Sequence, residues 1–224
     1  MNKKLLLVTL LCATGYTLSA QQNMAALNAQ LIEAAFNGNK EKVQDLLENG
    51  ANVNTQNQQG YTALMAATDN GHDSCVRLLL TAPEIQVNAQ SQQGETALMF
   101  AAVNGHDSCV RLLLTAPGIQ VNAQDQYRYT ALMFAAQNGH TSCVRLLLTA
   151  PEIQVNTQNQ QGHTALMLAA DSGHDSCVQL LIAARAFTET RDNTNRTAYD
   201  YAVQNGHQAI ADILHNEGLD EEQI

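Results

Sequence analysis

The amino-acid sequence predicts an all-α solenoid of about six helix-turn-helix units joined by short β-hairpin loops. The main observation behind this prediction is a sequence motif that recurs at a constant spacing. Copies of this motif begin at Gly60, Gly94 and Gly162. A fourth copy begins at Arg128, where arginine replaces the glycine, so successive copies start 34 residues apart. Self-similarity at a fixed period of about 20 to 50 residues is typical of stacked units, none of which can bury its apolar face alone.

Each unit also carries the pattern of two short helices separated by a glycine. Thr96 is a good N-cap, and the residues that follow it place Leu98, Ala101 and Ala102 on one helical face. Gly105 then ends the first helix. A second apolar stripe follows, formed by Cys109, Val110, Leu112, Leu113 and Leu114. Two short antiparallel helices and a turn, repeated in this way, make a solenoid.

The repeated motif resembles the ankyrin repeat. The resemblance rests on the run Thr-Ala-Leu-Met-x-Ala-Ala-x-Asn-Gly-His, followed by Val-Arg-Leu-Leu-Leu and Val-Asn-Ala, and it covers almost everything after residue 24. The proline that usually begins the first helix is absent. Methionine stands where the family usually has histidine, at Met65, Met99, Met133 and Met167. We therefore expect helix initiation to be slightly weaker than in a typical member, with the fold unchanged.

Residues 1–20 have the composition of a secretory signal peptide. Lys3 and Lys4 form a basic segment, residues 5–11 form an apolar core, and Leu18-Ser19-Ala20 is a small-residue cleavage site. The apolar core is far shorter than the about 20 residues that a membrane-spanning helix needs. The segment therefore predicts export from a bacterial cell, with cleavage after residue 20 and delivery to the periplasm or, as the alternative, secretion.

The rest of the chain divides into repeats and two caps. Residues 21–54 are predicted to form an N-terminal capping repeat, residues 55–191 four central repeats, residues 192–218 a C-terminal capping repeat and residues 219–224 an acidic tail. Both terminal units replace apolar positions with polar residues on the outside, as the ends of a repeat array require.

The charge of the chain limits its partners. The formal net charge is −10, and removal of residues 1–20 takes away two lysines and no acid, which leaves −12. A strongly acidic surface repels phosphate backbones and anionic lipids, which argues against nucleic-acid or membrane-surface binding. The charge favours a basic protein as partner. The sequence also predicts a monomer without a cofactor and without membrane insertion after cleavage.

One cysteine recurs in each central repeat, as Cys75, Cys109, Cys143 and Cys177. In an oxidising compartment an even set of cysteines suggests disulfides. Equivalent positions on stacked helices, however, lie about 8–10 Å apart, and a disulfide needs Cα atoms within about 7 Å of each other. We therefore predict buried, free thiols that pack as small apolar side chains, and neither disulfides, a redox relay nor a metal site.

A histidine follows the helix-ending glycine in five units, at His72, His106, His140, His174 and His207. The repeat spacing separates these imidazoles too far for them to share one metal ion, whose ligands lie at about 2 Å. A cysteine and a histidine from one repeat would supply only two ligands. The resemblance to ankyrin repeats instead implies that this histidine orders the turn by hydrogen bonding.

The units differ most at the hairpin tips between them, and the resemblance implies partner binding through these tips and the adjoining inner helix face. The candidate binding residues at the tips are Tyr61, Glu95, Tyr127, Arg128, Tyr129 and His163, and those on the inner face are Asp69, Val103, Gln137 and Asp171. The tip Tyr127-Arg128-Tyr129 departs furthest from the others and contains residue types that dominate binding hot spots. Neutral drift at an exposed tip is the alternative. If the tyrosines are exposed, their truncation should leave stability nearly unchanged.

The sequence contains no glycine-rich phosphate loop and no Gly-x-Ser-x-Gly motif, and its recurring cysteines lie on an apolar face where a nucleophile would not be activated. It therefore predicts a non-catalytic protein-binding scaffold that acts outside the cytoplasm. One alternative is a periplasmic accessory protein that supports an oxidative-stress enzyme, with the cysteines as a thiol reserve. A second is a protein that neutralises a basic toxin. Accessible native thiols would favour the accessory protein.

Overall fold

The computed structural model describes residues 21–221, with side chains to residue 216, so the predicted signal peptide lies outside the described residues. The described chain contains twelve helices and no strand. They are α1 (residues 21–36), α2 (Lys40–Glu48), α3 (Ala63–Asp69), α4 (Asp73–Leu80), α5 (Ala97–Val103), α6 (Asp107–Leu114), α7 (Ala131–Gln137), α8 (Thr141–Leu147), α9 (Ala165–Asp171), α10 (Asp175–Ala183), α11 (Ala198–Gln204) and α12 (Gln208–Glu221). The α12 helix continues into the segment predicted as an acidic tail.

The helices form six successive pairs that stack in one direction. From α3 to α11, each odd-numbered helix contacts the next odd-numbered helix, and from α2 to α12 each even-numbered helix contacts the next even-numbered one. The odd-numbered helices form an inner layer and the even-numbered helices an outer layer. This arrangement confirms the predicted all-α solenoid of about six helix-turn-helix units. The loops between pairs are hydrogen-bonded turns, and no β-strand extends from them within residues 21–221.

A threonine begins each inner helix from α3 to α11. The Thr62 hydroxyl accepts a hydrogen bond from the N–H of Met65 at 3.2 Å, and the equivalent threonines do the same at 3.3–3.4 Å. The Sδ atom of Met65 lies 3.5 Å from the Thr62 N–H and accepts from it weakly. At α11 a carboxylate of Asp200 accepts from the Thr197 N–H at 2.8 Å, which is the stronger form of the same reciprocal cap.

The core is a continuous stripe of small and medium apolar residues that runs through all the pairs. Each central unit contributes alanine, leucine and methionine from its inner helix and cysteine, valine and leucine from its outer helix, nearly all below 3% exposure. Because each unit buries these residues against its neighbours, stability depends on the interfaces between units rather than on one central core.

The recurring histidines join neighbouring units. The Nε2–H of His140 donates to the carbonyl oxygen of Val103 in the preceding unit at 3.0 Å, and the other four histidines make the equivalent bond at 3.0–3.2 Å. Each ring also covers the helix-ending glycine of that preceding unit. A Cβ added to Gly105 would lie 2.5 Å from the His140 ring. The hydrogen bond implied by the family resemblance is present, and it runs between units.

A second set of contacts between units uses asparagine. The amide of Asn54 donates to the carbonyl oxygen of Glu84 at 2.8 Å, and its oxygen accepts from the N–H of Gln86 at 2.8 Å. The same pair of bonds recurs at Asn88, Asn122 and Asn156. These asparagines recur at the 34-residue period in the sequence, although the sequence alone does not show that they bridge units.

Candidate functional site

The hairpin tips are tight turns organised by the side chain of their first residue. Asp125 Oδ1, for example, accepts from the N–H groups of Tyr127 at 2.9 Å and Tyr129 at 2.7 Å. Neighbouring tips are also joined through the backbone. The N–H of Gln160 donates to the Tyr127 carbonyl oxygen at 3.0 Å, and equivalent bonds join the other central tips. The tips therefore form one hydrogen-bonded ribbon and not a set of independent fingers.

The three residues of the Tyr127-Arg128-Tyr129 tip differ in their exposure to solvent. Tyr127 is 53% exposed and Arg128 is also exposed. Tyr129 is half-buried, with its ring stacked on Phe134 at a centroid distance of 5.1 Å and an interplanar angle of 29°. This differs from the exposed position expected for Tyr129, because the side chain of a turn's last residue points back onto the inner helices. Truncation of Tyr129 would therefore remove packing as well as a tip side chain.

Backbone geometry also distinguishes Arg128. Its φ is +64°, in the left-handed region that the glycines at the same position of the other central tips occupy. An L side chain is uncommon there and is typically associated with strain of about 1 kcal/mol or more. The tip therefore carries an exposed arginine at a position where glycine would be the easier choice.

The remaining tip candidates are held by the protein itself. Tyr61 is half-buried, and its ring lies 4.9 Å from that of Phe100. The carboxylate of Glu95 accepts from the Ser91 hydroxyl at 2.9 Å. His163 lies against Tyr201, with its Nε2 2.9 Å from the tyrosine oxygen.

The inner-face candidates share one structural feature. The carbonyl oxygens of Asp69, Val103, Gln137 and Asp171 are the acceptors of the histidine bonds between units. The carboxylate of Asp69 accepts in addition from the Asn104 amide at 2.9 Å, and that of Asp171 accepts from Asn205 at 2.7 Å. Their backbones belong to the repeat interface, while their side chains lie at the inner surface, half-buried at the first three positions and exposed at the fourth.

A polar cluster at the C-terminal end was not found from the sequence. Its centre is Asp192, whose side chain is 0% exposed. The carboxylate accepts from the Tyr201 hydroxyl at 2.6 Å and from the N–H groups of Thr194 and Arg196 at 2.8 Å each. The Arg196 guanidinium lies 3.6 Å from the carboxylate and 4.3 Å from the centre of the Tyr201 ring. His163 Nε2 lies 3.4 Å from the same carboxylate.

These contacts change the acidity of the cluster. Burial alone would raise the pKa of Asp192, but hydrogen bonds from Tyr201, Arg196 and Thr194 outweigh it and hold that pKa well below its ordinary value. Burial and the hydrogen bond to the carboxylate raise the pKa of Tyr201 to about 12. Every carboxylate oxygen has a donor, so the cluster fastens the last tip to α11. The only sequence signal for this cluster was the acidic residue Asp192 at a tip position. Nothing in the sequence indicated that Tyr201 contacts it.

The four recurring cysteines are free and fully buried, which confirms the predicted burial. Burial and the nearby Asp73 and Asp107 carboxylates raise the pKa of Cys109 to about 11, and burial is also the main cause that raises the pKa of Cys143 to about 11. A thiol reserve needs accessible thiolates. The buried thiols therefore do not support the oxidative-stress alternative.

Native protein is expected to resist thiol reagents, and four thiols should react once residues 21–224 are denatured. Cys109→Ser should lower the free energy of unfolding by about 1–3 kcal/mol, because a hydroxyl would enter an apolar position. Ser108→Ala, at the exposed neighbouring position, is the control and should stay within about 0.5 kcal/mol of the unchanged protein. Rapid labelling of the native protein, or equal urea midpoints for the two variants, would contradict the packing.

No group of three or more histidine, cysteine, aspartate or glutamate side chains within the described residues is arranged to hold a metal ion. In the same part of the chain, no helix combines the length and the apolar character needed to cross a bilayer.

Comparison with known proteins supports the stacked architecture. A family model for ankyrin repeats in three copies matches residues 31–125 and 132–223. The solved structure of one ankyrin repeat protein is 29% identical with a TM-score of 0.78, covering 84% of this chain and 97% of that one. An ankyrin repeat domain from Acinetobacter baumannii is 28% identical with a TM-score of 0.76, over 84% of this chain and 97% of that one.

Two curated relatives match over shorter segments. The mitochondrial disaggregase of Bos taurus is 47% identical over 55 residues, which is 25% of this chain and 8% of that protein. The E3 ubiquitin-protein ligase XBAT33 of Arabidopsis thaliana is 46% identical over 63 residues, 28% of this chain and 12% of that protein. The chain thus spans only a small part of either relative. The family model, in contrast, covers most of the stacked pairs described above, and the protein belongs to the ankyrin repeat family.

Proposed function

We propose that this protein is a non-catalytic scaffold that binds another protein through its hairpin tips and inner helix face. Ankyrin repeat domains generally mediate protein–protein binding, and the fold is typically non-enzymatic. The observation that points to a particular surface is the backbone conformation of Arg128. This exposed arginine has a φ of +64° at a turn position where the other central tips have glycine. Strained residues cluster at functional sites, which favours recognition over drift at this tip.

The neighbouring Tyr127 strengthens the case for this tip. It is 53% exposed, and its backbone is held by hydrogen bonds to Asp125 and to the next tip. A tyrosine on a fixed backbone loses little conformational freedom on binding, and an arginine beside it supplies several donors for carboxylates or carbonyls. We therefore place the main contact at Tyr127 and Arg128.

The charge supports a basic partner. With a formal net charge of −10 for the whole chain, or −12 without residues 1–20, association with a basic protein should be fast at low salt and slower at high salt. Neutralisation of a basic toxin is one form of this function that the charge permits.

We also propose that the protein acts outside the cytoplasm, in the periplasm or after secretion, because residues 1–20 read as a cleavable signal peptide. Protein recovered from its native cells is expected to begin at Gln21, and intact-mass measurement tests this. A mass that still includes residues 1–20 would refute export with cleavage.

The binding surface can be tested by truncating the exposed tyrosine alone. A partner is first isolated by pulldown with the mature protein, and is then titrated with the unchanged protein and with Tyr127→Ala. Tyr127→Ala should weaken binding by at least about 2 kcal/mol if the residue is a hot spot. Stability should change by less than about 0.5 kcal/mol, because the side chain is exposed. The matched control is Gln161→Ala, since Gln161 is exposed at the same position of the next tip and should bind normally.

Arg128→Gly separates the two contributions of the arginine. It should weaken binding and raise stability by less than about 1 kcal/mol, since relief of the left-handed strain is partly offset by the greater freedom of glycine in the unfolded chain. If Tyr127→Ala, Arg128→Gly and the unchanged protein bind equally, the tip sequence reflects drift and the proposed contact is wrong.

A further inference from the structure

The inner face contains a depression at its N-terminal end that the repeat register explains. The position four residues after each N-cap threonine is occupied in turn by Ala66, Phe100, Phe134, Leu168 and Tyr201. Ala66 is the one small residue in this row. Above it lies an open groove of about 490 Å³, which we name the N-terminal groove, and whose lining includes Glu33, Phe36, Tyr61, Ala66 and Asp69. The absence of a large side chain at residue 66 opens the groove.

Two aromatic residues, Phe36 and Tyr61, line the groove. Phe36 is 53% exposed although it lies in the array and not at a chain end. It occupies the same register position as the candidate residues Asp69 and Val103, as shown by its carbonyl oxygen, which accepts the equivalent bond from His72 at 3.0 Å. Tyr61, which also lines the groove, packs against the Phe100 ring. The groove is therefore a largely apolar site in which one of the two aromatic rings is already held in place.

The charged residues of the groove all have the same sign. Glu33 and Asp69 line it, and among the described residues no lysine, arginine or histidine does. Neither carboxylate takes part in an ion pair among the described residues. Burial, followed by the negative charges of Glu95 and Asp69, raises the pKa of Tyr61. An apolar groove with an acidic border complements a segment that combines an apolar side chain with a cation.

We propose that the N-terminal groove binds a segment of the partner protein in which one bulky aliphatic or aromatic residue lies beside a lysine or arginine. The apolar side chain occupies the space above Ala66 and contacts Phe36 and Tyr61. The adjacent cation faces Glu33 and Asp69. The inference deepens the proposed protein-binding function and rests on it. It names the chemistry of the partner and adds a contact distant from Tyr127.

The test begins with a phage-displayed library of random twelve-residue peptides, selected on the unchanged protein and depleted on Ala66→Phe. This variant restores the residue found at the equivalent positions 100 and 134 and fills the groove. The expected consensus is one large apolar residue next to lysine or arginine. No consensus, or an acidic or purely polar one, would overturn the proposal.

The selected peptide is then labelled and titrated by fluorescence anisotropy. Ala66→Phe should weaken its binding at least tenfold, and Phe36→Ser, at an exposed position that tolerates polarity, should weaken it several-fold and covers the case in which Ala66→Phe folds poorly. Glu33→Gln should weaken binding at low salt and reduce its salt dependence. Gln161→Ala, at an exposed tip position outside both proposed contacts, is the control and should bind the peptide normally.

Equal binding of the peptide by the unchanged protein, Ala66→Phe and Phe36→Ser would overturn the proposal that the N-terminal groove is the peptide site. Titration of the whole partner protein distinguishes failure of the groove proposal from failure of the proposed binding function. If Tyr127→Ala weakens partner binding and neither Ala66→Phe nor Phe36→Ser does, the groove proposal is wrong and the proposed binding scaffold stands. If none of these variants affects partner binding, both proposals fail.

Discussion

Gly105→Ala is expected to lower the free energy of unfolding by about 2–4 kcal/mol. Two effects combine at this position. The φ of Gly105 is +71°, which strains any L side chain, and an added Cβ would lie 2.5 Å from the His140 ring. The ring cannot withdraw freely, because its Nε2–H donates to the Val103 carbonyl oxygen at 3.0 Å. Urea unfolding of the variant and of the unchanged protein measures the loss.

The array contains a matched control for this substitution. Gly206 has a φ of +75° at the equivalent position, and nothing lies within 4 Å of its added Cβ, because no described unit follows. Gly206→Ala should therefore show strain alone, about 1 kcal/mol. In a His140→Ala background, Gly105→Ala should also lose only that amount. Equal losses at Gly105 and Gly206 in the unchanged background would mean that the histidine contact does not restrict the glycine.

Asp192→Ala is expected to have the other large effect, a loss of about 2–4 kcal/mol in the free energy of unfolding, because it removes the acceptor shared by the Tyr201 hydroxyl and the N–H groups of Thr194 and Arg196. Asp192→Asn should lose less. Its remaining oxygen can still accept from the turn N–H groups, as Asn57 and Asn159 do in other tips. The difference between the two variants measures the turn bonds, and urea midpoints supply it. Identical losses would show that the carboxylate acts only through its charge.

The depressed pKa of Asp192 predicts how the stability of this cluster depends on pH. A carboxylate with a folded pKa below its unfolded value of about 3.9 stabilises the protein above that value. This stabilisation falls as the pH decreases through about 4 toward the lower folded pKa. The stability advantage of the unchanged protein over Asp192→Asn should therefore persist from pH 8 to pH 5 and shrink below pH 4. An advantage that is unaffected at pH 3 would contradict the assignment.

Local and periodic features of the sequence were sufficient to predict the fold. The 34-residue spacing, the N-cap threonines and the glycine between helices each act within one unit, and the stacking follows because one unit cannot bury its own apolar face. The burial of Cys109 and its equivalents was predicted for the same reason, since a residue on the apolar stripe of every unit must face its neighbours.

Positions that depend on side chains from different units could not be predicted in this way. Tyr127 and Tyr129 are two residues apart in one tip, yet only Tyr129 packs on Phe134, because the direction of each side chain depends on the turn geometry. The 490 Å³ groove above Ala66 exists because Phe36 and Tyr61, from neighbouring units, border a small residue. Phe36 could have been singled out from its register position, which is that of Asp69.

The repeat, the helices and the apolar stripe were therefore predictable from the amino-acid sequence, because they follow from local propensity and from a period that is visible in the chain. The exposure of each tip residue and the position of the groove on the inner face became visible in the three-dimensional structure. The structure also showed that Asp192 joins Tyr201 and His163, which is 29 residues before it in the chain. Those properties arise from distances between side chains of adjacent units, and such distances are set when the units stack.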